Sequence, residues 1–161
     1  MREECISYIK KSFSDPKVIL LTADLGFGIF DDFDNLFPDQ FINLGIAEQL
    51  MASICCGLSH EGFSPIAYSI GIFPTFRCLE QIRNDIIYHN SNVKVITNGA
   101  GFSYGESGMS HHATEDIGII RSLPGSVIFS PASSYECKYL IDHFFSYHGF
   151  GYLRLDKYST N

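Results

Sequence analysis

Phe41-Ile42-Asn43-Leu44-Gly45-Ile46-Ala47-Glu48-Gln49-Leu50-Met51 is the stretch on which the fold turns. Its first four residues read as a short, apolar-rich strand, and Gly45 punctuates it. Beyond the glycine, Leu50, Met51, Ile54, Cys55 and Leu58 recur at three- and four-residue intervals as far as Gly62, the period of an amphipathic helix. A strand that runs straight into a helix is half of a parallel crossover, because parallel strands cannot be joined by a tight hairpin.

The same alternation extends outward in both directions. Upstream, Cys5, Ile6, Ile9 and Phe13 mark a helix that Asp15-Pro16 ends, and Val18 to Thr22 follows as a strand. Downstream, Pro65 to Ser69 reads as a strand and Ile72, Phe76, Leu79, Ile82 and Ile86 as one helix face. Val93 to Thr97 is the next strand, followed by a glycine-rich loop and a helix from Thr114 to Leu123. Val127 to Phe129, a helix over Cys137, Leu140, Ile141 and Phe144, and the strand Tyr152 to Leu155 complete the chain. Nearly continuous apolar strands flanked by helices predict a doubly wound, three-layer α/β domain over residues 1–161, with a mainly parallel sheet of about six strands.

Composition bounds the function classes. With 161 residues there is enough chain for one domain, and 45% hydrophobic residues make it a folded one. A formal net charge of −7 disfavours nucleic acid and anionic membranes as partners. The charged N-terminus Met1-Arg2-Glu3-Glu4 is unlike a secretory signal, and no apolar run approaches the ~20 residues of a membrane span, so a cytoplasmic protein is expected. Five cysteines without a CxxC pair read as reduced, mostly buried thiols.

In a doubly wound fold, ligands sit beyond the carboxyl ends of the strands. Four segments qualify: Ala23 to Gly28, Gly45 to Glu48, Ile70 to Phe76, and Gly99 to Glu115. Gly99-Ala100-Gly101-Phe102-Ser103-Tyr104-Gly105 is GxGxxxG, one residue away from a dinucleotide fingerprint, and reads better as a loop whose glycines permit positive φ. His111 and His112 are adjacent and point to opposite sides of an extended segment, so no shared metal is expected; a substrate-contacting or acid–base imidazole fits better. Thr114, Glu115 and Asp116 read as a helix cap with first-turn acids. Glu48 has two readings, a carboxylate complementing the helix dipole or a functional acid at a strand-to-helix turn. Phe73 and Phe76, one turn apart, fit core packing or a ligand platform.

Together these residues resemble a known family. Asn43-Leu44-Gly45-Ile46-Ala47-Glu48-Gln49, the Phe73-Pro74-Thr75-Phe76-Arg77 run with Glu80-Gln81-Ile82-Arg83-Asn84-Asp85, and Gly108-Met109-Ser110-His111-His112-Ala113-Thr114-Glu115-Asp116 are similar to the pyrimidine-binding domain of transketolases. Thr22 to Gly26 and Leu153 to Lys157 fit the same pattern, so the resemblance runs over essentially the whole chain.

The resemblance implies thiamine diphosphate chemistry. Glu48 matches the glutamate that hydrogen-bonds the aminopyrimidine ring nitrogen, whose exocyclic nitrogen takes the proton from the thiazolium carbon that attacks a ketose carbonyl. That role calls for an apolar surround favouring the protonated carboxyl, and Ile46, Ala47 and Leu50 are the expected walls. Phe73 and Phe76 match positions packing on the pyrimidine, with Ile70 beside them. His111 matches the histidine near the substrate carbonyl, and Arg154 and Arg2 match arginines that hold a sugar phosphate.

Three positions depart from the family pattern: Gly99 stands for a phosphate-binding histidine, Gly28 for a serine and Ser107 for an acceptor-contacting aspartate. Acceptor preference therefore does not carry over, and a modified or unphosphorylated sugar fits.

No segment resembles the family's diphosphate-binding domain or its C-terminal domain. The expectation is half a cofactor site: one chain of a split transketolase, assembled with like or unlike chains, whose diphosphate-binding partner supplies the Mg2+. Deoxyxylulose-phosphate-synthase-like or oxo-acid-dehydrogenase-like activity is the alternative within the cofactor class, and a non-catalytic assembly module the alternative outside it.

Overall fold

The computed structural model describes residues 1–157; the domain bound expected at residue 161 lies outside the described residues. Six strands, β1 (Val18–Thr22), β2 (Phe41–Asn43), β3 (Ser64–Ile70), β4 (Lys94–Asn98), β5 (Val127–Phe129) and β6 (Gly151–Leu155), form one sheet. Their spatial order is β2-β1-β3-β4-β6-β5, and every pairing is parallel. The fold is the expected doubly wound α/β layer.

Alternating strand residues divide the core in two. Leu20, Ile66, Tyr68, Ile96, Leu153 and Leu155 face the helices α1 (Arg2–Ser12), α2 (Phe33–Leu36) and α6 (Ser134–Ser146). Ile19, Leu21, Ala67, Val95 and Tyr152 face α3 (Glu48–His60), the helical segment 73–87 and α5 (Asp116–Arg121). Each fully buried aliphatic or aromatic side chain contributes about 1.5–3 kcal/mol. Among the described residues, no helix is long and apolar enough to cross a membrane. Cys5, Cys55, Cys78 and Cys137 are buried free thiols and Cys56 is partly so, as expected. Burial pushes the Cys78 thiol up to about 12, far from a reactive thiolate.

Two helices differ from the expectation. The single helix face over Ile72 to Ile86 is interrupted: Phe73–Arg77 and Ile82–Ile87 are wide π-type turns flanking the short α4 (Leu79–Gln81). Pro74 has no N–H to give, and the buried Thr75 hydroxyl donates back to the carbonyls of Gly71 (2.9 Å) and Ile72 (3.1 Å), which loosens the regular ladder. The helix expected from Thr114 spans only Asp116–Arg121, because Ala113 bridges back to Ala100 and Gly101 and holds the preceding chain extended.

Candidate active site

All the loops expected to matter leave the same carboxyl rim of the sheet. Asn43, at the end of β2, accepts through Oδ1 from the amides of Asp24 (3.0 Å) and Gly45 (3.1 Å), tying the β1 and β2 exits together. Gly45 takes φ +67°, and the chain turns from there directly into α3, whose first residue is Glu48.

The Glu48 side chain is only 5% exposed. It makes no capping bond. Instead its Oε1 accepts from Arg77 Nη1 at 2.5 Å, across the rim. Two of the three apolar walls expected from its neighbours are not there: Ile46, in the turn before α3, is 78% exposed, and Leu50, two residues along the helix and so on another face, is 52% exposed, while Ala47 is half-buried. A guanidinium, not a hydrocarbon wall, meets the carboxylate.

A cavity of about 560 Å3 opens beside this pair. Phe73, Phe76 and Arg77 form one wall, and Phe102, Met109 and His112 contribute to the other. Phe73 is half-buried and Phe76 half-exposed, so neither is a core residue. Arg77 lays its guanidinium on the Phe73 ring, 4.0 Å from its centre. Ile70 ends β3 opposite Asn98 and is half-buried behind this wall.

His111 sits in a tight 3-10 turn (Met109–His111), its ring 5.3 Å from Phe73 and 5.8 Å from Tyr104, with Nδ1 3.0 Å from the Ser110 hydroxyl. His112 turns the other way, donating through Nε2 to the Gly105 carbonyl at 2.9 Å and facing Phe102. The extended segment expected at the pair is a 3-10 turn through His111, and the place of His112 on the cavity wall was not legible in the sequence.

Gly99 has φ +94°, and a Cβ there would lie 2.0 Å from the Tyr104 ring. Tyr104 thus fills the space beside Gly99. Asn98 Nδ2 is 3.5 Å from its hydroxyl, and Lys157 Nζ lies 5.1 Å above its ring.

Neither Arg154 nor Arg2 lines the cavity. Arg154 donates through Nε to Asp116 Oδ2 (2.8 Å) and through Nη2 to the Ala113 carbonyl (3.2 Å). Asp116 is therefore not a solvated first-turn acid: it is fully buried and also accepts from the Tyr152 hydroxyl at 2.9 Å. Thr114 makes no cap and donates instead to Glu115. Arg2 lines a separate cleft of about 320 Å3 with Glu3, Ser134, Asp156 and Lys157. Among the described residues no three metal-ligating side chains converge.

A buried carboxylate at a strand-to-helix turn, beside an aromatic-lined cavity on the carboxyl rim of a parallel sheet, stands where an α/β fold places its small-molecule sites. The model of the transketolase pyrimidine-binding domain matches residues 9–160, and this chain belongs to that family. It is 38% identical over 120 residues to an apulose-4-phosphate transketolase subunit of Actinobacillus succinogenes, covering 74% of this chain and 39% of that protein. It is 31% identical over 137 residues to a 1-deoxy-D-xylulose-5-phosphate synthase of Syntrophus aciditrophicus, covering 83% of this chain and 20% of that one. A solved structure described as a split gene transketolase, inactive beta4 tetramer, superposes with TM-score 0.84 at 33% identity, over 99% of this chain and 52% of that one. The chain thus spans well under half the length of these two sequence relatives.

Proposed function

We propose that this chain supplies the pyrimidine side of a thiamine-diphosphate-dependent transketolase-type enzyme. It transfers a two-carbon ketol unit from a ketose to an aldose, together with a separate chain that holds the diphosphate and its Mg2+. The observation that carries this reading is the buried Glu48 carboxylate beside the cavity that Phe73 and Phe76 line. The residues fit an aminopyrimidine: an aromatic-lined space with ample room for one ring, and the buried Glu48 carboxylate beside it for the ring nitrogen. When bound, the cofactor supplies a carbon nucleophile for the ketose carbonyl.

The chain's own residues then have distinct tasks. Glu48 shares a proton with the ring nitrogen. Phe73 and Phe76, with Ile70 behind them, orient the ring and exclude water. His111, held between Phe73 and Tyr104, reaches the substrate carbonyl. Arg154, oriented by Asp116, meets the anionic end of a sugar. The names of two similar proteins, one a transketolase subunit and one a split gene transketolase, support a division of the site between chains.

A second reading, condensation of a two-carbon unit from pyruvate, is favoured by the similarity to the synthase. The two separate in one assay of the chain reconstituted with a diphosphate-binding transketolase subunit. Ketol transfer from a ketose without pyruvate turnover supports the first; pyruvate decarboxylation without ketol transfer replaces it with the second. Titration calorimetry of thiamine diphosphate into the chain alone is expected to show millimolar affinity at best, and micromolar affinity would contradict the divided site.

A further inference from the structure

We propose that Arg77 is a latch on Glu48, a positioning residue that holds the carboxylate in the cofactor-free chain and has to release it before a ring nitrogen can take its place. The inference rests on the reading of Glu48 given above. It adds a competitor already built into the site.

The geometry is specific. Arg77 Nη1 is 2.5 Å from Glu48 Oε1, and the same guanidinium lies 4.0 Å from the centre of the Phe73 ring. One side chain therefore covers both features an aminopyrimidine would use, the carboxylate and the aromatic face. Arg77 is also on the cavity wall, whereas Glu48 is not.

Charge makes the two occupants exclusive. The guanidinium forms a charge-assisted bond to the carboxylate oxygen that a ring nitrogen would have to reach. A ring nitrogen of low basicity needs that carboxylate to share a proton, so it binds less well to an oxygen already neutralised by a cation.

The latch can open. Glu48 is fixed in the first turn of α3 and is 5% exposed, but the Arg77 side chain is 46% exposed on a long unbranched stem. Its cation–π contact is of the solvent-facing kind, which is weak. Glu115, on the same cavity, offers the displaced guanidinium another carboxylate. A residue that merely braced the site would improve cofactor binding, and its removal would weaken it. A latch has the opposite sign.

The test is a titration of thiamine diphosphate, at millimolar concentration, into the full chain with Glu48 observed by its carboxyl carbon resonance. Arg77→Gln is expected to bind roughly tenfold more tightly than the unaltered chain, a shift of about 1.4 kcal/mol. Arg77→Lys retains charge and packing but loses the planar fork, and is expected to fall between the two; it carries the test if the glutamine variant fails to fold. Equal or weaker binding by both variants, or no binding by any form, overturns the latch. The underlying reading of Glu48 fails separately: Glu48→Gln combined with Arg77→Gln would then bind as tightly as Arg77→Gln alone.

Discussion

Arg154 and Asp116 form an ion pair largely withdrawn from water on both sides, with Nε 2.8 Å from Oδ2 and side-chain exposures of 18% and 1%. The same oxygen takes the Tyr152 hydroxyl, so β6 and α5 are fastened through a single carboxylate. Burial, together with this carboxylate, pushes the Tyr152 hydroxyl well above the usual phenol range.

Removing one partner of such a pair leaves the other charge buried and unmatched, at about 3–5 kcal/mol. Asp116→Asn is therefore expected to lower unfolding free energy by about 3 kcal/mol, the low end because Arg154 retains some solvent. Asp116→Asn with Arg154→Met is expected to recover part of the loss. Urea denaturation checks both, and a change within about 0.5 kcal/mol for Asp116→Asn would contradict the account.

Gly99 makes a separate structural prediction. At φ +94°, and with the Tyr104 ring in the way of any Cβ, Gly99→Ala is strained twice. The backbone part alone costs on the order of 1–3 kcal/mol. Combining it with Tyr104→Ala is expected to relieve the steric part and leave the backbone part, which a double-mutant cycle of denaturation free energies resolves.

Lys94 gives the pH dependence. Its ammonium is buried at the start of β4, donates to Asn92 Oδ1 (2.6 Å) and the Gly149 carbonyl (2.9 Å), and burial lowers it to about 8 from an ordinary 10.5. Between those values the unfolded chain binds more protons than the folded one, so this group's contribution to stability rises as pH goes from about 8 to 10.5 and is least below 8. Subtracting the stability curve of Lys94→Met from that of the unaltered chain isolates the slope. A flat difference across that window would show that the hydrogen bonds fully offset the burial.

The carboxyl rim exposes large apolar side chains, among them Phe102 (72%) and Met109 (84%). If the diphosphate-binding subunit docks there, Phe102→Ser with Met109→Ser leaves the unfolding transition of the isolated chain nearly unchanged and abolishes complex formation in sedimentation. Retained assembly would place the partner elsewhere.

The fold was largely legible because its signals are local. β1 and β5 fall where the apolar runs place them, and Glu48 opens α3 as the Gly45 turn implies. The breaks in the 73–87 helix came from Pro74 and from the back-bonding of Thr75, which helix periodicity does not register. Of the candidate site, the sequence pointed to Glu48, Phe73 and Phe76, which the structure brings to one rim, but not to the side chains they meet there. Nothing in the chain's order says that Arg77 meets a glutamate 29 positions away, or that Asp116 is sealed under Arg154 instead of facing water. Such pairings arise only when the rim closes. Tyr104 as the filler beside Gly99 belongs to the same class.

The central claim is that Glu48 is the cofactor's proton partner in a divided site. The most direct measurement is ketol transfer by the chain reconstituted with a diphosphate-binding transketolase subunit, comparing the unaltered chain with Glu48→Gln. A side chain that still hydrogen-bonds but cannot share the proton is expected to lower kcat by roughly 10²–10⁴ with assembly intact. Unchanged kcat in the assembled Glu48→Gln complex would contradict it.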